Sequence, residues 1–408
     1  MSPARGERAP SASCCVDASR AKRLIHAILV ASVGMGALVL FLILPINLAA
    51  TPRLSRARRR CALAPRVSVV IPAHDEESGI ERAVRSHLAA DYPDFEVVVV
   101  NDRSTDRTGE ILAALAREDP RLRVVAGSDP PAGWLGKPHA LHLGAAAATG
   151  ELLLFTDADV RYDPRALNEA VALIEERRLD FVALLPRMEM VGFWENVLMP
   201  YVLGAYFIGI GFLANADWPR WAAAGGGAGN LVRRPVYDCL GGHAALRASV
   251  IDDVGLALRA KRAGFKTRAV RAEDRVVVRM YRGLREVVNG FTKNMGYVFN
   301  GLLGAALFLL ASLVTLLAVA PPLVLGAALL GAPVDPSDAL HAAAAYAIMI
   351  AVRIAAAGAL GDPLWPAVTH PIMTAVWAFI IVRSLFHRFV RRRLVWRGRE
   401  FDARGARF

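Results

Sequence analysis

Three runs without a charged residue, Ala27 to Ala50, Met295 to Val334 and Pro363 to Val382, constrain this chain more than any other feature. A helix needs about 20 apolar residues to cross roughly 30 Å of hydrocarbon. Each run is long enough, and together they bracket most of the sequence. The chain is 55% hydrophobic and 21% charged, with mean hydropathy +0.36. That composition excludes a disordered chain and argues against a purely soluble one. The first run is too long for a signal-peptide core and has basic flanks on both sides, so it reads as a retained anchor.

The net charge of +12 is concentrated beside these runs. Arg53, Arg56, Arg58, Arg59, Arg60 and Arg66 have no acid among them. From Arg383 to Phe408, nine arginines face only Glu400 and Asp402. Basic clusters in these positions anchor a chain on anionic headgroups at the cytoplasmic face. No zinc-finger spacing or aromatic platform points to nucleic acid, which is excluded as a partner. Cys14, Cys15, Cys61 and Cys239 form no C-x-x-C pair and read as free thiols.

The expected organisation is a disordered basic tail over 1–23, a transmembrane helix over 24–50 and a basic linker over 51–65. An α/β domain follows over 66–298, then a membrane region of two or three helices over 299–386 and a basic tail over 387–408. Within the domain, β-rich runs alternate with helical patterns. Strands are expected at 67–73, 96–102, 123–126, 152–159, 181–185 and 267–270. Ile80, Val84 and Leu88 mark one helix, and Ile111, Leu112 and Leu115 another, with Ser104, Thr105 and Asp106 as its caps. Such alternation predicts a mainly parallel sheet.

Acids sit where these strands end. Asp75 and Glu76 follow the first, Asp102 ends the second, and Asp157 and Asp159 end the fourth. Ligands of open parallel sheets bind at the carboxyl ends of strands. A single acid there is usually a solvated loop residue; three strands delivering acids to one edge indicate a site. The D-x-D of Thr156-Asp157-Ala158-Asp159 offers hard oxygen ligands that suit magnesium or manganese, which can bridge a nucleotide diphosphate. His139, His142, His243 and Asp238 read as packing or surface residues.

The segments VSVVIPAHDEE, VVVVNDRSTDRT, GWLGKPHAL, LLLFTDAD and VIDDVGLALRAKRAG, in this order over about 66–265, resemble family-2 glycosyltransferases of the GT-A fold. The resemblance implies a Rossmann-like, mainly parallel sheet, with transmembrane helices at both ends of the chain. The flanking apolar runs and RMYRGLREVVNGFTKN look like the membrane-bound branch that glycosylates lipids, nearest its hopanoid-associated and carotenoid-modifying members. By position, Pro72, Ala73, Glu76 and Asp102 match the nucleotide-base pocket, and Lys137 a donor-side lysine. Asp157 would face the ribose or the metal, and Asp159 would bind metal and diphosphate. Asp253 falls on the catalytic base, and Asp252 replaces a glutamate beside it. Arg282 stands about where the family's Q-x-x-R-W arginine meets the diphosphate, with Arg279 and Tyr281 as neighbours.

No Q-x-x-R-W occurs in this chain, which disfavours a processive polysaccharide synthase. The implied activity is inverting transfer of one sugar from a nucleotide-diphosphate sugar, a UDP-sugar first, to a membrane lipid. It would use Mg or Mn in a multi-pass protein of the cell membrane whose catalytic domain is cytosolic. A polysaccharide synthase and an inactive membrane scaffold are the alternatives. The uncharged stretch Asn196 to Ala216 cannot cross the bilayer once, because that would part Asp159 from Asp253. It is expected as an interfacial or re-entrant segment receiving the acceptor, or else as a core helix. A cytosolic C-terminus needs an even number of crossings after the domain, yet three apolar stretches follow. The one over 338–360, which contains Arg353, is expected to be re-entrant or interfacial.

Overall fold

The computed structural model describes residues 12–56, 64–298, 301–391, 393–396 and 399–402. Parts of the expected N-terminal tail, basic linker and C-terminal tail lie outside them. Ten strands build the domain: β1 (Val67–Ala73), β2 (Phe95–Asn101), β3 (Leu122–Ala126), β4 (Leu152–Phe155), β5 (Val160–Tyr162), β6 (Phe181–Leu185), β7 (Arg187–Met188), β8 (Asn230–Arg233), β9 (Thr267–Arg271) and β10 (Val276–Val278). Seven form one sheet in the order β3-β2-β1-β4-β8-β6-β9, and β5, β10 and β7 form a small second sheet.

The β-branched runs become strands buried on both faces, as parallel sheets require. On one face Val69 and Ile71 pack with Ile80, Val84, Leu112 and Leu115. On the other, Val70 and Val98 pack with Leu141 and Ala145. β1 runs parallel to β2 and β4, with Ala73 opposite Asn101 and Val70 opposite Phe155. This register brings the acid-bearing carboxyl ends to one edge. At the entry to the helix Thr108–Glu118, the Thr108 N–H donates to the Asp106 carboxylate at 2.9 Å, while Arg107 holds the N-cap position.

Two strand expectations need correction. The strand at 152 ends at Phe155 rather than Asp159, because the Asp157 N–H turns away to donate to the Gly227 carbonyl at 2.7 Å. The sheet also contains β8, antiparallel to both β4 and β6. Four residues directly after a glycine run are too few to display a strand's alternation.

Among the described residues, four helices are long and apolar enough to cross a membrane: Ser19–Ala50, Ser312–Leu329, Pro336–Leu360 and Trp365–Phe386. The first belongs to a helical run that starts at Ala12 rather than Leu24. The third is an unbroken 25-residue helix. Its aspartate Asp338 meets His26 of the first helix at 2.7 Å, and the two helices pack together. Its far end rests on the domain, where Arg53 and Arg271 donate to the Ala359 carbonyl. The helix His370–Phe386 instead lies along the domain. Met373, Trp377 and Ile380 are buried in the domain core with Leu198 and Phe291, and the Trp377 indole donates to the Leu198 carbonyl.

Asn196 to Ala216 folds as three short helices, Phe193–Leu198, Pro200–Ile208 and Gly211–Asn215, not as one. Phe207 is fully buried and Tyr206 bonds near Thr51 and Gly211, so neither is a free docking group. Exposed large apolar side chains in and just after this region include Phe193, Ile208, Phe212, Trp218 and Trp221.

The helix Gly136–Ala147 approaches the sheet at Gly144, where a Cβ would lie 2.5 Å from Val70 Cγ1. Gly144→Val is therefore expected to destabilise the fold by about 2 kcal/mol through overpacking. Thermal unfolding of the detergent-solubilised protein measures this; an unchanged midpoint would contradict the close packing.

Candidate functional site

At the carboxyl edge of β1, β2 and β4 the chain leaves each strand abruptly. Asp75 and Arg103, just past β1 and β2, have φ of 53° and 57°. Such left-handed backbone costs about 1–3 kcal/mol per non-glycine residue and clusters at functional sites. The two turns lock together: the Thr105 N–H donates to Asp75 at 2.7 Å, the Glu76 N–H to Thr108 Oγ1 at 2.8 Å, and the Asp102 N–H to the Ala73 carbonyl at 2.7 Å. Pro72 and Ala73 form the floor as the last residues of β1. Asp102 is buried and gripped by its neighbour, with Arg103 Nε at 2.8 Å and Nη2 at 3.1 Å from its two oxygens.

A second group meets beside it. Lys137, from the first turn of the helix Gly136–Ala147, places Nζ 2.6 Å from Asp157 and 4.0 Å from Asp252. Desolvation in the cleft opposes its charge, yet the fields of Asp157, Asp252 and Asp253 outweigh this and hold the ammonium well above the usual lysine pKa. At Asp159 the balance goes the other way: burial, together with the charges of Asp157 and Glu76, outweighs the attraction of Lys137 and pushes it up to about 7. Asp252 opens the helix Asp252–Arg262 and is buried, which raises it to about 6 against the pull of Lys137.

Asp252 and Asp253 diverge. Asp252 lies 4.0 Å from both Lys137 Nζ and His243 Nε2. His243 is buried beside Tyr237, whose hydroxyl is 2.9 Å from Nδ1, and desolvation drops the imidazole to about 3. It is a neutral packing group, as its sequence setting suggests. Asp253 is only partly buried, and its carboxylate accepts from the Val254 N–H at 2.8 Å.

The glycine-rich loop before β8 threads between these acids. A Cβ at Gly227 would collide with the Asp157 carboxylate, and one at Gly225 with the Asp253 carbonyl. Asn230 ties the loop to the helix by accepting from the Gly226 N–H and donating to the Asp253 carbonyl, both at 3.2 Å. The glycine run is plain in the sequence, but its role as the joint between two acid pairs is not.

Two further residues depart from the sequence reading. Arg282 is exposed, and its backbone N–H donates to Glu286; among the described residues it makes no ion pair with the strand-end acids. Arg279 pairs with Glu195 at 3.1 Å. The cation that does feel the cleft from this region is Lys293, on the helix Gly283–Val298. Desolvation and Lys137 lower it to about 8 against the attraction of Asp252, Asp157 and Asp253. Lys293 lies in the RMYRGLREVVNGFTKN segment, but nothing in that segment marks it as facing the cleft; the fold does.

Among the described residues, no three His, Cys, Asp and Glu side chains gather into a ready metal cage. The donor set at the edge still suits a hard cation: Asp157 and Asp159 offer oxygens only. Magnesium-type sites are commonly completed by substrate phosphates and water.

Residues 68–253 match the family described as Glycosyl transferase family 2. A beta-monoglucosyldiacylglycerol synthase from Nostoc sp. is 29% identical over 202 residues, covering 48% of this chain and 41% of the relative. A 4,4'-diaponeurosporenoate glycosyltransferase from Staphylococcus haemolyticus is 24% identical over 238 residues, covering 56% and 60%. The chain thus spans less than two thirds of either relative. Among solved structures, a mannosyltransferase from Pyrobaculum calidifontis in complex with GDP-Man and Mn2+ shares the fold, with TM-score 0.59, 23% identity, and coverage of 89% of this chain and 99% of that one.

Gly227→Ala should displace the Asp157 carboxylate and weaken nucleotide-diphosphate affinity by about tenfold or more, ~1.4 kcal/mol. Calorimetric titration with UDP and with GDP in the presence of manganese measures it. The unfolding midpoint should stay within about 3 °C of the parent. Unaltered affinity for both nucleotides would show that the loop does not shape the site.

Proposed function

We propose, on the premise that residues 68–253 are a Glycosyl transferase family 2 domain, that this protein moves one sugar from a nucleotide-diphosphate sugar to a membrane lipid, with inversion. The observation that carries the reading is the meeting of Lys137, Asp157, Asp252 and Asp253 at one sheet edge, in a domain to which apolar helices are fastened. A UDP-sugar is the first choice of donor.

In this reading the donor's base lies against Pro72, Ala73 and Glu76, with Asp102 below. Arg103 holds both oxygens of Asp102, so the nucleotide must share or displace that pair. Asp157 and Asp159 would hold Mg or Mn, which supplies charge neutralisation on the diphosphate. Lys137 adds a fixed positive charge on the same side, and Lys293 a second from the membrane-proximal helix. Arg282, exposed, is not assigned to the diphosphate.

Asp253 is the base. Its carboxylate takes the proton of the acceptor hydroxyl as that oxygen forms its bond to the anomeric carbon. The bond from that carbon to the diphosphate oxygen breaks in the same displacement, and the electron pair leaves with the diphosphate. Asp252 acts differently. Buried against Lys137 and His243, it holds the lysine toward Asp157. Exposed Ile208, Phe212, Trp218 and Trp221 form the face on which a lipid acceptor would lie, since aromatic side chains favour the bilayer interface.

The helix packing supports a topology that the count of apolar runs leaves in conflict. The helix Gly301–Leu329 leaves the domain side, and Pro336–Leu360 returns to it, ending on Arg53 and Arg271. His370–Phe386 lies on the domain with Val368, Ile372, Phe379 and Val382 exposed toward the bilayer. Two crossings then follow the domain, and the arginine-rich tail stays on the cytosolic side with the catalytic edge.

Asp253→Asn is expected to cut transfer by roughly 10²–10⁴-fold while leaving nucleotide affinity unchanged; Asp252→Asn should lose less. Radiolabelled donor with a membrane-lipid extract, read by product mass, tests this. A polymeric product would favour the synthase alternative, and an active Asp253→Asn beside a dead Asp252→Asn would exchange their roles. For the metal, Asp159→Asn should abolish transfer without unfolding the protein. Full activity of that variant, or in excess chelator, would remove the metal from the mechanism.

A further inference from the structure

Charges inside membrane helices are costly and are kept where they have a partner or a function. In Pro336–Leu360 the aspartate at the start, Asp338, has His26. Arg353 has no such mate. Among the described residues no carboxylate lies at ion-pair distance from it, and its Nη1 is buried without a hydrogen-bond partner. The same holds for His370, whose Nδ1 and Nε2 are both buried and unpartnered. The turn Trp365–Thr369 that leads into His370 packs against the helix that bears Arg353.

Their place in the fold is defined from both sides. The end of the Arg353 helix rests on the domain through Ala359, so Arg353 lies about two turns, roughly 10 Å, further in. The segment before His370 runs back along the same helix, with the Tyr346 hydroxyl donating to the Val368 carbonyl at 2.9 Å. On its other side Trp365 stacks on Phe193 of the domain, ring centroids 5.7 Å apart. The unpaired nitrogens therefore lie on stretches held at one end by the domain and at the other by the Tyr346 contact.

We propose that Arg353 and His370 bind the phosphate group of a lipid in the leaflet next to the catalytic domain. A phosphate brings acceptor oxygens and negative charge to both side chains at once, and basic pockets between membrane helices on the cytoplasmic side recognise such headgroups. A sugar hydroxyl or a carbonyl would leave the arginine charge uncompensated. The inference rests on the helices lying in a bilayer but not on the transfer reaction. The phosphate can belong to a bilayer phospholipid or to a phosphorylated lipid acceptor.

The test uses the full-length protein in nanodiscs of phosphatidylcholine with phosphatidylglycerol, followed by transfer to neutral detergent and native mass spectrometry. The parent should retain a phosphate-bearing lipid other than phosphatidylcholine. Arg353→Gln and His370→Ala should reduce that retention at least about tenfold, as expected when one partner of a buried charge contact is truncated. Arg353→Lys should keep most of it. Nucleotide affinity unchanged in every variant shows that folding is intact and separates this result from failure of the catalytic reading. A retained lipid that exchanges with added phosphatidylglycerol is a bilayer lipid, whereas one consumed on adding donor sugar is an acceptor; both uphold the site. Equal retention in parent and variants overturns the proposal, as does a parent that retains no such lipid. Displacement by inorganic phosphate as readily as by phosphatidylglycerol also overturns it.

Discussion

Lys137 stands between two pairs of carboxylates that would otherwise repel one another. Its ammonium touches Asp157 from the fourth strand and reaches toward Asp252 at the start of a helix far along the chain. Several features of the domain follow from that contact. The helix bearing Lys137 must begin at the sheet edge, and the Leu135 N–H is fixed there by the Arg247 carbonyl at 2.7 Å. The chain between the acids must pass without side chains, which is where the glycines stand. Like charges at such spacing are tolerable only while the cation remains.

That arrangement is partly readable in the sequence alone. Strand-end acids are visible because β-branched runs are easy to recognise and because a parallel sheet aligns its carboxyl ends. Lys137, Asp157, Asp252 and Asp253 do meet. Arg282 is not gathered with them; it is exposed, and a residue at the entry of a helix carries no local signal of where that helix will pack. Lys293 is hidden for the complementary reason: a lone lysine in FTKN looks like any solvated side chain until the helix is laid against the cleft. β8 escapes because four residues directly after a glycine run carry no pattern of their own.

Apolar length is a weaker guide than packing. The stretches at 336–360 and 370–386 look alike in hydropathy, yet the first runs against other apolar helices and the second presses Met373, Trp377 and Ile380 into the domain. Arg353 does not interrupt its helix, which stays continuous from Pro336 to Leu360. Similarly, Asn196 to Ala216 has the length of a span but folds as three pieces, because Asn47 and Asn215 draw its turns onto the first helix and the sheet.

Asn215 also governs how the sheet ends. β9 is the outermost strand, and an open strand edge invites pairing with another chain. Here the Asn215 amide mimics a neighbouring strand: it accepts from the Ala269 N–H at 2.6 Å and donates to the Ala269 carbonyl at 3.1 Å. Two residues on, the Arg271 N–H donates to the Pro52 carbonyl at 2.8 Å, and Arg53 forms a parallel bridge to Arg271. The residues that leave the first apolar helix thus serve as a stopper for the sheet. A soluble fragment trimmed to begin at β1 would lose that stopper and bare part of a β-edge, so aggregation of such a fragment would reflect the cut rather than a defect in its core.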